Sequence, residues 1–198
     1  GNYSDSVYQY SLSTPWNVNT ASYDNVSFSV QAQDGYPISL AFSSDGTKMF
    51  IVGYTSGMVH QYSLSTPWNV QTATYDNVSF SVAAQETNPL GLAFSSDGTK
   101  MFILGNAYES VYQYTLSTPW NVNTASYDNI SFSVAAQESN PNGLAFNNDG
   151  TKMFILGYNS KSVHQYSTQA FDISENVVDI TSVGFTNPVK ALVPKNDM

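Results

Sequence analysis

Val7-Tyr8-Gln9-Tyr10-Ser11-Leu12-Ser13-Thr14-Pro15-Trp16 returns as Val59-His60-Gln61-Tyr62-Ser63-Leu64-Ser65-Thr66-Pro67-Trp68, and again, with Tyr112 and Thr115, from Val111 to Trp120. A shorter fourth copy, Val163-His164-Gln165-Tyr166, keeps the constant spacing of 52 residues between starts. Self-similarity at a fixed period of this length marks a repeat array, in which each unit buries its apolar face against its neighbours. The 198 residues are 41% hydrophobic and 14% aromatic, enough to bury a core despite the many Ser, Asn and Thr.

One unit reads as four short strands. Leu90-Gly91-Leu92-Ala93-Phe94 and Lys100-Met101-Phe102-Ile103-Leu104 are apolar runs joined through Asp97-Gly98, a strong hairpin signal. A third strand is expected over 110–116, after a polar loop. Ser117-Thr118-Pro119-Trp120 then breaks the pattern, because proline offers no ladder donor and favours a turn. A fourth strand is expected over 130–134, where apolar and small polar residues alternate. Four antiparallel strands per unit describe a propeller blade, and the apolar spacing of a helical repeat is absent. The expected fold is all-β: a β-propeller of four-stranded antiparallel blades with about four blade-equivalents.

Ala41-Phe42-Ser43-Ser44-Asp45-Gly46-Thr47-Lys48-Met49-Phe50 and its copy from Ala93 to Phe102 resemble the signature of WD40-like, YVTN and lactonase-type propeller repeats. Ser44 and Ser96 stand where proline is common, and the Gly-His and Trp-Asp signals of WD40 blades are missing. The resemblance implies architecture. Families that share it include surface proteins, scaffolds and hydrolases, so it implies no single activity.

Gly1 aligns with Gly53, Gly105 and Gly157, so the chain opens inside a blade. The expected division is the outer strands of a split blade at 1–36, blades at 37–88 and 89–140, a blade with a degenerate last strand at 141–185, and an inner closing strand at 186–198. Open sheet edges are an aggregation liability, so closure is expected. One chain pairing its own ends satisfies that, as does a homodimer exchanging ends, or a longer propeller of which this is a part.

The net charge is −9, and the six basic residues are all lysine. Without arginine forks or a basic stripe, nucleic acid and anionic membrane surfaces are excluded as partners. Apolar runs fall well short of the roughly 18 residues that span a bilayer, so no membrane insertion is expected. Cysteine is absent, which removes disulfides and thiol chemistry. The acidic, Asn/Ser/Thr/Tyr-rich composition points to an extracellular or surface-exposed setting. Sequons start at Asn2, Asn25, Asn77 and Asn129, the last three being copies of one strand position.

Three sets of residues are candidates for a site. The loop after the second strand varies most between copies, Asn106-Ala107-Tyr108-Glu109 against Tyr158-Asn159-Ser160-Lys161, which nominates Tyr54, Tyr108 and Tyr158 as ligand contacts. Asp34, Glu86 and Glu138 share one register beside Gln33, Gln85 and Gln137. Oxygen ligands of this kind suit calcium, the one cofactor considered, with solvated turn carboxylates as the competing reading. Trp16, Trp68 and Trp120 beside Asn17, Asn69 and Asn121 offer repeated sugar-stacking platforms, or else seal the edges of their own blades.

No catalytic residue is nominated. The two histidines, His60 and His164, fall on third strands away from the varied face, with no serine or acid assigned to them. The expected function is non-enzymatic recognition of a glycan or protein. A purely structural self-assembling scaffold and a calcium-dependent lactonase-like hydrolase are the alternatives.

Overall fold

The computed structural model describes residues 4–167. Among these, thirteen strands form four antiparallel sheets. The first holds β1 (Ser6–Leu12) and β2 (Ala21–Ser29). The second runs in chain order through β3 (Pro37–Phe42), β4 (Lys48–Gly53), β5 (Met58–Leu64) and β6 (Ala73–Ser81). The third repeats it as β7 (Pro89–Phe94), β8 (Lys100–Gly105), β9 (Ser110–Leu116) and β10 (Ala125–Ser133). The fourth holds β11 (Pro141–Phe146), β12 (Lys152–Gly157) and β13 (Val163–Ser167). The inner strands β3, β7 and β11 lie side by side. There Gly91 lets Leu104 and Leu144 approach to 3.0 Å of where a Cβ would stand. The expected degenerate strand before 185 and the closing strand at 186–198 lie outside the described residues.

The fourth strand of each blade is longer than the alternation suggested, starting at Ala21, Ala73 and Ala125. The pairing slips at a bulge where Asn25, Asn77 and Asn129 take φ of 56°, 55° and 57°. Asparagine tolerates this left-handed conformation, and the extra residue breaks the two-residue period that a sequence reading follows. The bulge also turns the preceding aspartate inward. Asp76 accepts from Gln61 Nε2 (2.8 Å) and pairs with Lys48 (2.9 Å); Asp128 does the same with Gln113 (2.7 Å) and Lys100 (3.0 Å).

That glutamine also joins one blade to the next. Its other amide atom accepts a backbone N–H from the following blade, Gln9 Oε1 from Val70 and Gln61 Oε1 from Val122, both at 3.0 Å. The accepted N–H opens a short 3₁₀ turn, Val70–Thr72 or Val122–Thr124, capped by the preceding asparagine. Apolar contacts run along the same seam, with Phe50 against Phe94 and Phe102 against Phe146 (centroids 4.5 Å), and Phe80 edge-on to Tyr114 (5.5 Å). Tyr62, Tyr114, Met49 and Met101 are fully buried there.

Candidate functional site

At one end of the inner strands, residues from three blades enclose an open funnel of about 340 Å³, lined by Tyr36, Ile38, Tyr54, Leu90, Asn106, Asn140, Asn142 and Tyr158. They fall in three registers: 36 and 140, then 38, 90 and 142, then 54, 106 and 158. The middle register starts the inner strands and the last follows the second strands, so the sheets themselves fix their positions. Tyr36 and Tyr54 pack at 5.4 Å with their rings partly exposed, and Lys161 Nζ sits 4.2 Å over the Tyr158 ring. The lining offers aromatic faces and side-chain amides and contains no Asp, Glu or His.

Of the three nominated tyrosines, Tyr54 and Tyr158 line the funnel and Tyr108 does not. Tyr36, Asn140 and Asn142 were missed by sequence reasoning, and Asn106, in the varied loop, was not among the nominated contacts. Their signal was present as differences between copies on either side of a constant proline, since Tyr36 corresponds to Asn88 and Asn140, and Ile38 to Leu90 and Asn142.

Asp34, Glu86 and Glu138 are neither solvated nor a metal cluster. All three are buried, and among the described residues no three acidic or imidazole groups converge as a metal site. Each carboxylate ties its blade's 2–3 loop to the strand entry. Asp34 accepts from the N–H groups of Tyr36 (2.6 Å) and Ser56 (2.7 Å). Glu86 accepts from Asn88 (2.8 Å) and Ala107 (3.1 Å), and Glu138 from Asn140 (2.6 Å), Asn159 (3.2 Å) and Ser160 (2.9 Å). Gln33, Gln85 and Gln137 are also engaged, accepting the hydroxyls of Tyr62, Tyr114 and Tyr166 at 3.2, 3.4 and 3.2 Å.

Glu86 and Glu138 differ in their loop neighbours, Tyr108 and Glu109 against Ser160 and Lys161, and the charge of Glu109 adds to the upward push on Glu86. Ser160 Oγ donates to Glu138 Oε2 at 2.5 Å, and this bond, opposed by burial and helped by backbone N–H groups, holds the carboxyl down to about 2. Tyr108 takes the serine's place beside Glu86, whose Oε2 makes no hydrogen bond. There burial dominates and pushes the carboxyl up, against the pull of the Asn88, Ala107 and Tyr108 N–H groups. A raised folded-state value means that Glu86 favours the fold most in acid, and its contribution is lost as pH rises through that value. Glu138 has the opposite sign, supporting the fold above the ordinary glutamate range and failing as pH falls towards about 2. Tyr108→Ser is therefore expected to add about 1.5–3 kcal/mol at pH 7, the worth of a hydrogen bond to a charged group. Melting curves at pH 7 and pH 4 test this, since an equal gain at both would contradict the assignment.

The histidines have serine neighbours that the sequence did not reveal. Ser56 Oγ lies 3.3 Å from His60 Nε2, and Ser160 Oγ lies 3.0 Å from His164 Nε2. The order is carboxylate, serine, histidine, so the acid holds the serine rather than orienting the imidazole. Burial also pushes the His60 ring down, against the charge of Asp34. This arrangement anchors a loop and lacks the order of groups that activates a nucleophile.

The tryptophans lie elsewhere. Trp68 and Trp120 take left-handed backbone (φ 63° and 59°) and cover the Asp-Gly turns of their own blades. A Cβ on Gly46 or Gly98 would collide with their rings, and Trp120 also packs on Phe94 at 5.4 Å. Asn17, Asn69 and Asn121 spend their side-chain oxygens on the N–H groups of Asn19, Gln71 and Asn123. The Asp-Gly turn thus takes part of each of these rings, though Trp68 stays 54% exposed. Trp16 differs, being 99% exposed.

No family model matches the sequence, and no curated protein matches it. Solved structures do. A protein from Lactobacillus plantarum matches with a TM-score of 0.60 at 16% identity, over 83% of this chain and 46% of that one. A proposed 6-phosphogluconolactonase from Bacteroides uniformis matches at 0.58 and 14% identity, over 84% and 45%. The β-propeller domain of a Myceliophteria thermophila protein matches at 0.51 and 9%, over 73% and 43%. The fold is a β-propeller. At these identities the likeness establishes architecture alone, and the chain spans less than half the length of each of these structures.

Proposed function

We propose that this propeller is a recognition module that binds a glycan in the funnel without transforming it. The observation that supports this is the lining: three tyrosines and three asparagines, drawn from separate blades, around a space of about 340 Å³. Tyrosine rings stack on the apolar faces of sugars, and side-chain amides donate to and accept from their hydroxyls. Rigid strand ends hold both without an ordering cost. An extracellular or surface setting fits this reading and the exposed sequon asparagines Asn25, Asn77 and Asn129.

The calcium-dependent lactonase reading draws on the Bacteroides structure's description. It requires Asp34, Glu86 and Glu138 to ligate an ion, whereas backbone N–H groups already hold at least one oxygen of each and the three do not converge as a metal site among the described residues. Calorimetric titration against a glycan panel tests the proposal. Tyr54→Ala and Tyr158→Ala are expected to weaken binding about tenfold each, in line with the loss of an aromatic anchor. Absence of binding across the panel, together with a melting temperature that shifts between calcium and chelator, would favour the metal-dependent alternative.

A further inference from the structure

A groove of about 270 Å³ between the third and fourth sheets is lined by Phe102, Val111, Gln113, Ile130, Phe132 and Phe146, with Met153, Tyr166 and Ser167. Seven of the nine lining residues lie 52 positions beyond a residue of the preceding seam's core, Phe50, Val59, Val78, Phe80, Phe94, Met101 and Tyr114, and Gln113 lies 52 beyond the seam-spanning Gln61. In that seam Trp120 and Val122 fill the space, and Gln61 accepts the Val122 N–H. In the groove Ile130 and Phe132 are 52% and 49% exposed.

A segment with the plug's sequence lies exposed elsewhere among the described residues. Ser13-Thr14-Pro15-Trp16-Asn17-Val18 is identical to Ser117-Thr118-Pro119-Trp120-Asn121-Val122. It also has the same asparagine-capped 3₁₀ turn. Yet Trp16 is 99% and Val18 78% exposed, where Val70 and Val122 are 3% and 0%. Other features divide in the same way. Among the described residues β1 pairs with β2 alone, whereas its copies β5 and β9 pair on their other edge with β4 and β8. Asp24 is held by Gln9 and Ser11 without a lysine, and among the described residues Lys152 has no ion pair, whereas Lys48–Asp76 and Lys100–Asp128 link the same two registers.

We propose that a second copy of this chain docks head to tail, its β1–β2 hairpin and Trp16–Val18 turn completing the blade begun by β11 and β12. In the register of the filled seam, the incoming β1 takes the place of β13 against β12. Residues 7–11 differ from 163–167 only at Tyr8 and His164, so the exchange keeps the strand contacts. It buries Trp16, Val18 and Tyr10, gives Gln113 the N–H of Val18, and pairs Asp24 with Lys152. The interface is heterologous, so it produces closed rings or open arrays of copies.

Sedimentation of the full chain tests this. The wild type is expected at two or more times 21.6 kDa. Val18→Asp, which spoils the plug, and Ile130→Asp, which spoils the groove, are each expected to be monomeric. Both side chains are exposed, so a retained circular dichroism spectrum verifies folding. Mixing the two variants leaves one intact plug and one intact groove and is expected to give a dimer that neither forms alone. A monomeric wild type, an oligomeric Val18→Asp or a mixture that stays monomeric would overturn the proposal.

Discussion

Gly105→Ala is expected to lower stability by about 3 kcal/mol or more, the range for overpacking combined with disturbance of a buried charge. A Cβ at this position would overlap the Glu86 carboxyl. That carboxyl has nowhere to retreat, because its Oε1 is fixed by the Asn88 and Ala107 N–H groups and the side chain is fully buried. Relieving the overlap means breaking those bonds and leaving a buried group unsatisfied. For a domain of this size the loss corresponds to roughly 6–12 °C in melting temperature. Gly35→Ala is the control, since a Cβ there meets nothing within 4 Å. Equal melting temperatures for the two variants would show that the carboxylate clamp is not rigid.

Tyr114→Ala should be comparably damaging, at about 3–5 kcal/mol, the range for deleting a fully buried aromatic side chain. Its ring is edge-on to Phe80 at 5.5 Å, and its hydroxyl donates to Gln85 at 3.4 Å, so one residue ties the third sheet to both the second sheet and the loop between them. The repeat supplies an internal comparison. Tyr10 occupies the same register but is 57% exposed in the single chain, so in the Val18→Asp background, where the first sheet stays uncovered, Tyr10→Ala is expected to change stability by less than about 0.5 kcal/mol. Chemical denaturation of both variants reads the difference. Similar losses would mean that the first sheet is packed as the third one is.

Local chemistry made much of the fold legible. The Asp-Gly turns and the strand at 110–116 stood where turn residues and apolar runs placed them, because those signals act within a few residues. The bulge at Asn25, Asn77 and Asn129 was hidden, since an extra residue looks the same as the end of a strand when only alternation is read. The site was harder to read for a different reason. Asp97, in an exposed turn, and Glu86, fully buried, both sit in short polar connections; what buries Glu86 is a loop some twenty residues later folding over it. The funnel is likewise assembled from three blades, so Tyr36, Asn106 and Asn142 are never near one another along the chain. Comparing copies register by register was the one signal able to find them, and it yielded Tyr54 and Tyr158.

The glutamine that spans the first two seams has a further consequence. Its reach is one neighbour, from Gln9 to Val70 and from Gln61 to Val122, and the aromatic pairs of the seams reach no further. Nothing in such a joint registers how many joints precede it, so no single residue encodes the number of blades. Loss or duplication of a whole 52-residue unit would leave every remaining joint chemically intact, which makes the number of blades the most easily altered property of this architecture.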